Sequence, residues 1–324
     1  MSIVFLCNSL RNIERAYSAE QIGGSPVMTL EAFKRAPVSG VEYIFSTWGM
    51  PALSEDEIAA LFPDLKAVFY AAGSVQDFAR PFLARGVRVF SAWAANAVPV
   101  AEFTVAQILL SNKGYFRLHD LYRDQGSEAS TAFAERFGGN YGATVGLLGA
   151  GMIGRLVIKL LRNFDLSVLV FDPFLSDDAA AEMGVVKTSI EEVFASSDVI
   201  SNHLADNERT KGILTYRLFS SMKAHATFIN TGRGAQVDAV ALLKVMDEEP
   251  GRTALLDVTD PEEPLPAGSP LLSRSNIFVS PHRAGSTNNE IKRMGRYVFD
   301  EYSRLMSGKP VLYEVTLPML ETMA

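Results

Sequence analysis

The sequence predicts an α/β fold in which a doubly wound parallel sheet carries helices on both faces, together with a second and smaller α/β domain. Short apolar runs alternate with helical patterns over most of the chain, as a parallel sheet with crossover helices requires. The chain has 324 residues, which at roughly 150 residues per domain corresponds to two domains. Hydrophobic residues make up 48% of the chain and charged residues 21%, a balance typical of compact globular domains.

The charge and the cysteine content exclude several classes of function. The 30 Lys and Arg residues against 37 Asp and Glu residues give a net charge of −7, so we expect neither a nucleic acid nor a membrane as partner. Cys7 is the only cysteine, so neither an intramolecular disulfide nor a cysteine-based zinc cluster forms, and we assign no metal site. No secretory signal pattern opens the sequence, and no uninterrupted apolar run reaches the roughly 18 residues that span a bilayer. We therefore expect a cytoplasmic protein.

Four apolar runs in the first hundred residues predict the strands of the smaller domain, at residues 3–7, 43–46, 67–70 and 88–91. The clearest helix between them covers residues 54–61. Ser54 is a suitable N-cap there, and acidic residues at 55 and 57 suit the positive end of a helix dipole.

The larger domain begins with an apolar segment at residues 99–121, which predicts a long and mostly buried helix placed to bridge the two domains. After a glycine-rich break, a helix is predicted at 151–161 and an amphipathic helix at 288–306. The strands are predicted with the spacing of a doubly wound sheet, at residues 144–148, 167–171, 199–203, 227–230, 253–257 and 277–280.

Three glycines between the first strand and helix of this domain form a dinucleotide-binding fingerprint. Gly149, Gly151 and Gly154 have the G-x-G-x-x-G spacing. The first permits a tight turn, the second permits close approach of a pyrophosphate, and the third permits close packing of helix on strand. Three glycines in a turn also arise from packing alone, so the pattern depends on its strand and helix context.

An acidic residue supports the fingerprint. Asp172 ends the next predicted strand, about 20 residues after the first glycine, where a carboxylate accepts hydrogen bonds from the adenosine ribose. No arginine follows directly to hold a 2′-phosphate, so the sequence favours NAD over NADP. The alternative is a carboxylate that only ends a strand.

Three later segments supply polar side chains at the carboxyl ends of predicted strands, where open α/β sheets bind ligands. Arg233 lies between two glycines and could pair with a substrate carboxylate, although a surface arginine capping carbonyls fits that segment equally well. Asp257 ends a strand and Glu262 follows it, while His282 follows the last strand. Alone, such a glutamate or histidine is more often structural. Together they can form an acid/base pair in which the carboxylate orients the imidazole and stabilises its charged form.

Four motifs in a shared order resemble the D-isomer-specific 2-hydroxyacid dehydrogenases. They are the segment 96–102, the glycine fingerprint with Asp172, the segment 230–234, and the segments around Glu262 and His282. The resemblance covers residues from about 67 to 310, while the first 65 residues match only in pattern. It implies a Rossmann-type NAD-binding domain and a flavodoxin-like substrate domain.

The resemblance also implies roles for individual residues. Arg233, Glu262 and His282 take the positions of the catalytic set. Besides the three glycines, the cofactor contacts fall on Met152, Ile153, Asp172, His203, Thr231, Asp257, Ala284 and Gly285. The backbone amides that hold the substrate carboxylate, together with Arg233, fall on Ala72, Gly73 and Ser74.

The sequence departs from the family pattern in three places. Glu262 and Glu263 are adjacent where the family usually has one glutamate before the proline. Counting from Asp257 selects Glu262 and counting back from Pro264 selects Glu263, and we prefer Glu262 because backbone pairing sets the register of the strand. Residues 205–207 replace the more usual proline-containing loop after His203, and Arg283 stands where an apolar residue is common. We therefore expect an unusual substrate preference or loop conformation.

The function implied is reversible reduction of a 2-oxo acid to a D-2-hydroxy acid with NADH, with His282 as general acid/base. The family arrangement places the substrate domain at residues 1–99 and 287–324 and the NAD-binding domain at 100–286, and it suggests a homodimer. The alternatives are an NAD(H)-sensing, corepressor-like binding protein and a 3-phosphoglycerate dehydrogenase. The sequence does not identify the 2-oxo acid.

Overall fold

The computed structural model describes residues 2–321 and divides the chain into two compact units. The first unit comprises the chain up to Ala97 together with the chain from Ser286 onward, and the second comprises Val98–Gly285.

The strands are β1 (Ser2–Leu6), β2 (Val27–Met28), β3 (Val41–Ser46), β4 (Ala67–Tyr70), β5 (Arg88–Ser91), β6 (Thr144–Leu148), β7 (Ser167–Phe171), β8 (Val186–Lys187), β9 (Val199–Asn202), β10 (Thr227–Asn230), β11 (Thr253–Leu256), β12 (Ile277–Val279) and β13 (Glu314–Val315). The helices are α1 (Leu10–Ala16), α2 (Ala19–Ile22), α3 (Leu30–Arg35), α4 (Glu55–Leu61), α5 (Ala79–Ala84), α6 (Trp93–Ser111), α7 (Tyr115–Ala134), α8 (Met152–Leu161), α9 (Asp177–Glu182), α10 (Ile190–Ser196), α11 (Tyr216–Ser220), α12 (Ala239–Glu248) and α13 (Asn289–Met306).

The first unit is built on a six-stranded sheet in the order β13-β5-β4-β3-β1-β2. Its strands are parallel except β13, which pairs antiparallel with β5. A row of phenylalanines crosses the sheet, because Phe45, Phe69 and Phe90 occupy paired positions and stack with ring centroids 4.9 Å apart. Helix α13 covers this face, with Val298 fully buried.

The second unit is built on a seven-stranded parallel sheet in the order β12-β11-β10-β9-β6-β7-β8. Strand β6 pairs with β7 on one side and with β9 on the other, so the strand order reverses between β6 and β9. Strands β9, β10 and β11 are buried throughout, as expected for strands covered on both faces. This topology places the carboxyl ends of all the strands along one edge, at which ligands bind in doubly wound folds.

The predicted strands and three of the four predicted helices lie within two residues of the observed elements, but the predicted helix at 99–121 is wrong in its bounds. Helix α6 begins at Trp93, with Pro99 inside it, and ends at Ser111. A separate helix, α7, follows Gly114, whose φ of 64° is a left-handed conformation that interrupts the helix. The predicted cap at Ser54 is confirmed, since its side chain accepts from the backbone N–H of Glu57.

Helix α6 is long and apolar enough to cross a membrane by length and composition alone. Half of the qualifying window is buried inside the structure, and buried core helices meet the same criterion. This helix is therefore weak evidence for a membrane span.

Candidate active site

The glycine fingerprint forms a tight turn between β6 and α8. Gly149 has a φ of 97°, and a Cβ at that position would lie 2.6 Å from the carbonyl oxygen of His203. A Cβ on Gly154 would overlap the carbonyl oxygen of Gly149, so the helix packs directly on the turn. A Cβ on Gly151 would point into open space. The turn and the close packing thus agree with the roles expected for these glycines.

The start of α8 fits the pyrophosphate of NAD. The first backbone N–H groups of a helix have no partner within it, and here they belong to Met152, Ile153 and Gly154. The space beside Gly151 leaves these donors accessible to a phosphate oxygen.

Asp172 has a structural task in addition to its predicted contact with ribose. One carboxylate oxygen accepts from the backbone N–H of Ala150 at 2.7 Å, and the other accepts from that of Phe174 at 2.7 Å. The carboxylate therefore ties the glycine turn to the end of β7. An oxygen can accept more than one hydrogen bond, so this arrangement leaves capacity for a ribose hydroxyl.

His203 lies at the end of β9 beside the glycine turn. Its Nε2 shares a 2.9 Å hydrogen bond with Ser201 Oγ, and its Nδ1 is buried without a hydrogen-bond partner among residues 2–321. Burial lowers the pKa of His203 from 6.5 to about 4, since the charged imidazolium is poorly solvated there. His203 is therefore neutral at neutral pH, so its predicted contact with the cofactor is made by an uncharged ring.

This burial predicts a pH dependence of stability. Between about pH 6.5 and 4 the unfolded chain binds a proton at residue 203 and the folded protein does not, so the free energy of unfolding decreases as the pH falls. The contribution is at most about 1.4 kcal/mol per pH unit. In the variant His203→Gln, the free energy of unfolding should decrease less steeply as the pH falls, because this proton is no longer bound. Denaturant unfolding measured between about pH 6.5 and 4 tests this. Equal slopes in the two proteins would contradict the prediction.

A network of buried side-chain amides shapes the turn that carries Arg233. Asn202 Nδ2 donates to Asn230 Oδ1 at 3.0 Å and to Gln236 Oε1 at 2.6 Å. Asn230 Nδ2 donates to the carbonyl of Arg233 at 3.1 Å, and the backbone N–H of Gly232 donates to Asn230 Oδ1 at 3.1 Å. Sequence reasoning missed this network, which fixes the backbone of Arg233 at the end of β10. The Arg233 side chain is 30% exposed and so remains accessible to a ligand.

The predicted cofactor contact Asp257 organises the segment that carries His282. Its buried carboxylate accepts from Ser280 Oγ at 2.5 Å and from the backbone N–H groups of Arg283 and Ala284 at 2.7 and 2.8 Å. The backbone N–H of His282 donates to the carbonyl of Asp257 at 3.1 Å. His282 adopts a φ of 53°, a left-handed conformation that is uncommon for residues other than glycine. Asp257 therefore fixes the backbone of the segment from which the imidazole projects.

The carboxylate beside His282 belongs to Glu263, which corrects the preference for Glu262. Glu263 Oε2 lies 3.6 Å from His282 Nδ1, and its side chain is only 9% exposed. Glu262 is exposed instead. The loop after β11 turns the second glutamate inward, so counting back from Pro264 selects the pairing residue. Glu263 Oε1 is buried without a hydrogen-bond partner among residues 2–321, an arrangement that is costly and concentrated at functional sites.

A close backbone contact brings the turn of Arg233 to the loop of Glu263. A Cβ on Gly234 would overlap the carbonyl group of Thr259 and lie 2.6 Å from the backbone nitrogen of Asp260. Only glycine permits this approach. Arg233, Glu263 and His282 are therefore presented together by the carboxyl ends of β10, β11 and β12.

The remaining predicted residues take these positions. Thr231 is buried at the end of β10, with its hydroxyl 3.3 Å from that of Thr104. Ala72, Gly73 and Ser74 follow β4 in the first unit, and Ser91 Oγ donates to the carbonyls of Ala72 and Gly73 at 2.9 and 2.6 Å. The substrate-binding role of these three residues and the cofactor contacts of Ala284 and Gly285 stay predictions.

Comparison with known proteins identifies the family. Residues 105–284 match the model of the D-isomer specific 2-hydroxyacid dehydrogenase NAD binding domain. The chain is similar to D-3-phosphoglycerate dehydrogenase of Archaeoglobus fulgidus, with 30% identity over 73% of this chain and 44% of that protein. It is also similar to a putative 2-hydroxyacid dehydrogenase of Bacillus subtilis, with 34% identity over 63% of this chain and 59% of that protein. The chain thus spans about half the length of the curated relatives it matches.

Solved structures show the same fold. The apo form of Rhodotorula graminis D-mandelate dehydrogenase superposes with a TM-score of 0.80 at 18% identity and 97% coverage of both chains. D-2-hydroxyisocaproate dehydrogenase superposes with a TM-score of 0.78 at 20% identity, covering 98% of this chain and all of the other. The protein belongs to the D-isomer specific 2-hydroxyacid dehydrogenase family, and its second unit is a Rossmann-type NAD-binding domain.

Proposed function

We propose that the protein is an NAD-dependent oxidoreductase that interconverts a 2-oxo acid and a D-2-hydroxy acid. The observation that carries this proposal is the pair formed by His282 and Glu263, 3.6 Å apart and joined by the Gly234 contact to the turn of Arg233. The pair lies at the ligand-binding edge of an NAD-binding sheet. Ketone reduction needs a proton donor and a cation that binds the substrate, and this arrangement supplies both.

Each residue has a distinct task in the proposed reaction. NADH, when bound, supplies the hydride to the carbonyl carbon. Arg233 binds the substrate carboxylate and polarises the neighbouring carbonyl. His282 donates a proton to the carbonyl oxygen in reduction and accepts the hydroxyl proton in oxidation. Glu263 orients the imidazole and stabilises its charged form.

Two alternatives differ in substrate or in chemistry. The names of several relatives, among them the Archaeoglobus fulgidus protein, favour 3-phosphoglycerate as a second candidate substrate. An NAD(H)-sensing binding protein would need the cofactor site but not a proton donor paired with a carboxylate. The presence of that pair therefore favours an enzyme.

The direct test is the loss of NADH absorbance with a panel of 2-oxo acids. The panel contains glyoxylate, hydroxypyruvate, pyruvate, a bulky aromatic 2-oxo acid and 3-phosphohydroxypyruvate. Turnover of one member supports the reductase and indicates its substrate class. NADH binding without turnover of any member would instead favour the sensor.

The two adjacent glutamates provide a matched pair of variants. Glu263→Gln should lower kcat about ten-fold, because the imidazole loses the carboxylate that orients it, and this factor corresponds to about 1.4 kcal/mol of transition-state stabilisation. Glu262→Gln removes the same charge one residue away on an exposed side chain and should leave kcat within about two-fold, the range of small surface effects. Steady-state rates of both variants decide the assignment. A larger loss in Glu262→Gln would restore Glu262 as the partner.

A further inference from the structure

The guanidinium of Arg233 is faced by a carboxylate that the proposed reaction does not require. Asp206 Oδ2 lies 3.7 Å from Arg233 Nε, and both side chains are partly exposed. Arg233 also donates from Nη1 to the carbonyl of Gly232 at 2.9 Å. Asp206 belongs to the loop 205–207, where the sequence departs from the family pattern.

The loop that carries Asp206 is held by hydrogen bonds on both sides of the residue. Gln236 Nε2 donates to the carbonyls of Leu204 and Ala205 at 3.0 and 2.9 Å. Thr210 Oγ1 is within hydrogen-bond distance of the carbonyls of Ala205 and Asn207, at 2.6 and 2.9 Å. Gln236 also belongs to the amide network that fixes the Arg233 turn. The Gln236 side chain thus links the backbone that carries Asp206 to the backbone that carries Arg233.

The segments around Arg233 carry more negative than positive charge. The segments 205–211, 231–236, 257–264 and 280–286 contribute six carboxylates against four cations: Asp206, Glu208, Asp257, Asp260, Glu262 and Glu263 against Arg209, Lys211, Arg233 and Arg283. The backbone of Asp260 contacts Gly234, and the Glu263 side chain is almost buried. A ligand with one carboxylate gains an ion pair with Arg233 in this environment. A second negative charge on the ligand adds repulsion from Asp206 that the single ion pair with Arg233 does not offset.

We propose that Asp206 is a specificity-determining residue that selects 2-oxo acids with an uncharged remaining substituent over those with a second carboxylate or a phosphate. The inference rests on the proposed function and names its substrate class. The selectivity arises because a second anionic group on the substrate approaches the unshared oxygen of Asp206. Like charges about 6 Å apart at an effective dielectric constant of about 40 repel enough to change an equilibrium about ten-fold.

The test compares kcat and KM of the protein and three variants in NADH-dependent reduction. Pyruvate and phenylpyruvate are the singly charged substrates, and oxaloacetate, 2-oxoglutarate and 3-phosphohydroxypyruvate carry a second anionic group. Asp206→Asn removes the charge beside Arg233 and keeps the size of the side chain. Glu208→Gln is the matched control, because it removes an exposed charge from the same loop two residues away.

We expect Asp206→Asn to raise kcat/KM for the doubly charged substrates about ten-fold relative to the singly charged ones, mainly through a lower KM. Glu208→Gln should leave this ratio unchanged, and Asp206→Glu should retain most of the wild-type selectivity. The selectivity of the wild type should also weaken at high ionic strength, because exposed charges are screened.

Each contrary result has a separate meaning. Turnover with an unchanged ratio in Asp206→Asn overturns this inference and leaves the proposed reductase standing. An equal change in Glu208→Gln also overturns it, since the loss of any negative charge in this region would then change the ratio. A wild type that prefers 3-phosphohydroxypyruvate overturns it in favour of a phosphorylated substrate. No turnover of any 2-oxo acid overturns the proposed function and the inference together.

Discussion

His282→Ala is expected to lower kcat about 10² to 10⁴-fold, the range for loss of a positioned general acid/base. The imidazole is 59% exposed and adds little packing, so the variant should fold. Its backbone N–H still donates to Asp257, and the glycine turn is untouched. The affinity for NADH should therefore stay near that of the wild type. Steady-state kinetics and NADH fluorescence titration measure the two quantities.

A second histidine gives the control for this experiment. His119 is an exposed side chain on α7 that pairs with Asp120 at 3.2 Å. His119→Ala removes an imidazole of the same size from a site without a predicted role, so kcat should be unchanged. If His282→Ala instead lost NADH binding as much as turnover, the imidazole would serve the cofactor and not the proton transfer.

Gly234→Ala is expected to reduce both stability and activity. The added methyl group would overlap the carbonyl of Thr259, so the Arg233 turn and the loop that leads to Glu263 must move apart. Overpacking of this kind costs about 1–3 kcal/mol. A displacement of about 1 Å in a catalytic arrangement can reduce the rate about 10²-fold. Thermal unfolding and kcat, measured on the same preparation below the unfolding transition, separate the two effects.

A glycine in open space provides the matched substitution. Gly138 follows α7 in the same unit, and a Cβ added to it would meet no atom within 4 Å. Gly138→Ala should keep the unfolding temperature and kcat near the wild-type values. Unchanged activity in Gly234→Ala would show that the contact with Thr259 does not hold the two loops in their working positions.

The strands and the glycine turn could be predicted because their signals are local. Strands β9, β10 and β11 are short runs rich in apolar residues that are buried at every position, as expected for parallel strands covered on both faces. Gly149 and Gly154 are required by the turn and by the packing that their spacing indicates. Strands β2, β8 and β13 have only two residues each and carry no readable periodicity.

The details that could not be predicted depend on contacts distant in sequence. Local counting selects Glu262 or Glu263 according to the residue from which it starts. The choice between them depends on the path of a loop that packs on Gly234, about 30 residues earlier. The amide network joins Asn202, the last residue of β9, to Gln236, which lies in the turn after β10. The family resemblance assigns Asp257 to the cofactor, whereas its hydrogen bonds show that it also holds the His282 segment.

The left-handed backbone at His282 lowers the stability of the folded protein at a position that the proposed reaction requires. A residue with a side chain held at a φ of 53° costs about 1 kcal/mol or more, a strain that glycine would avoid. Selection for thermostability alone would therefore favour glycine at the position on which the proposed proton transfer depends. Directed evolution of a more robust variant should accordingly screen for activity in every round. The stability lost at this position can be recovered far from the site, on surface helices and loops.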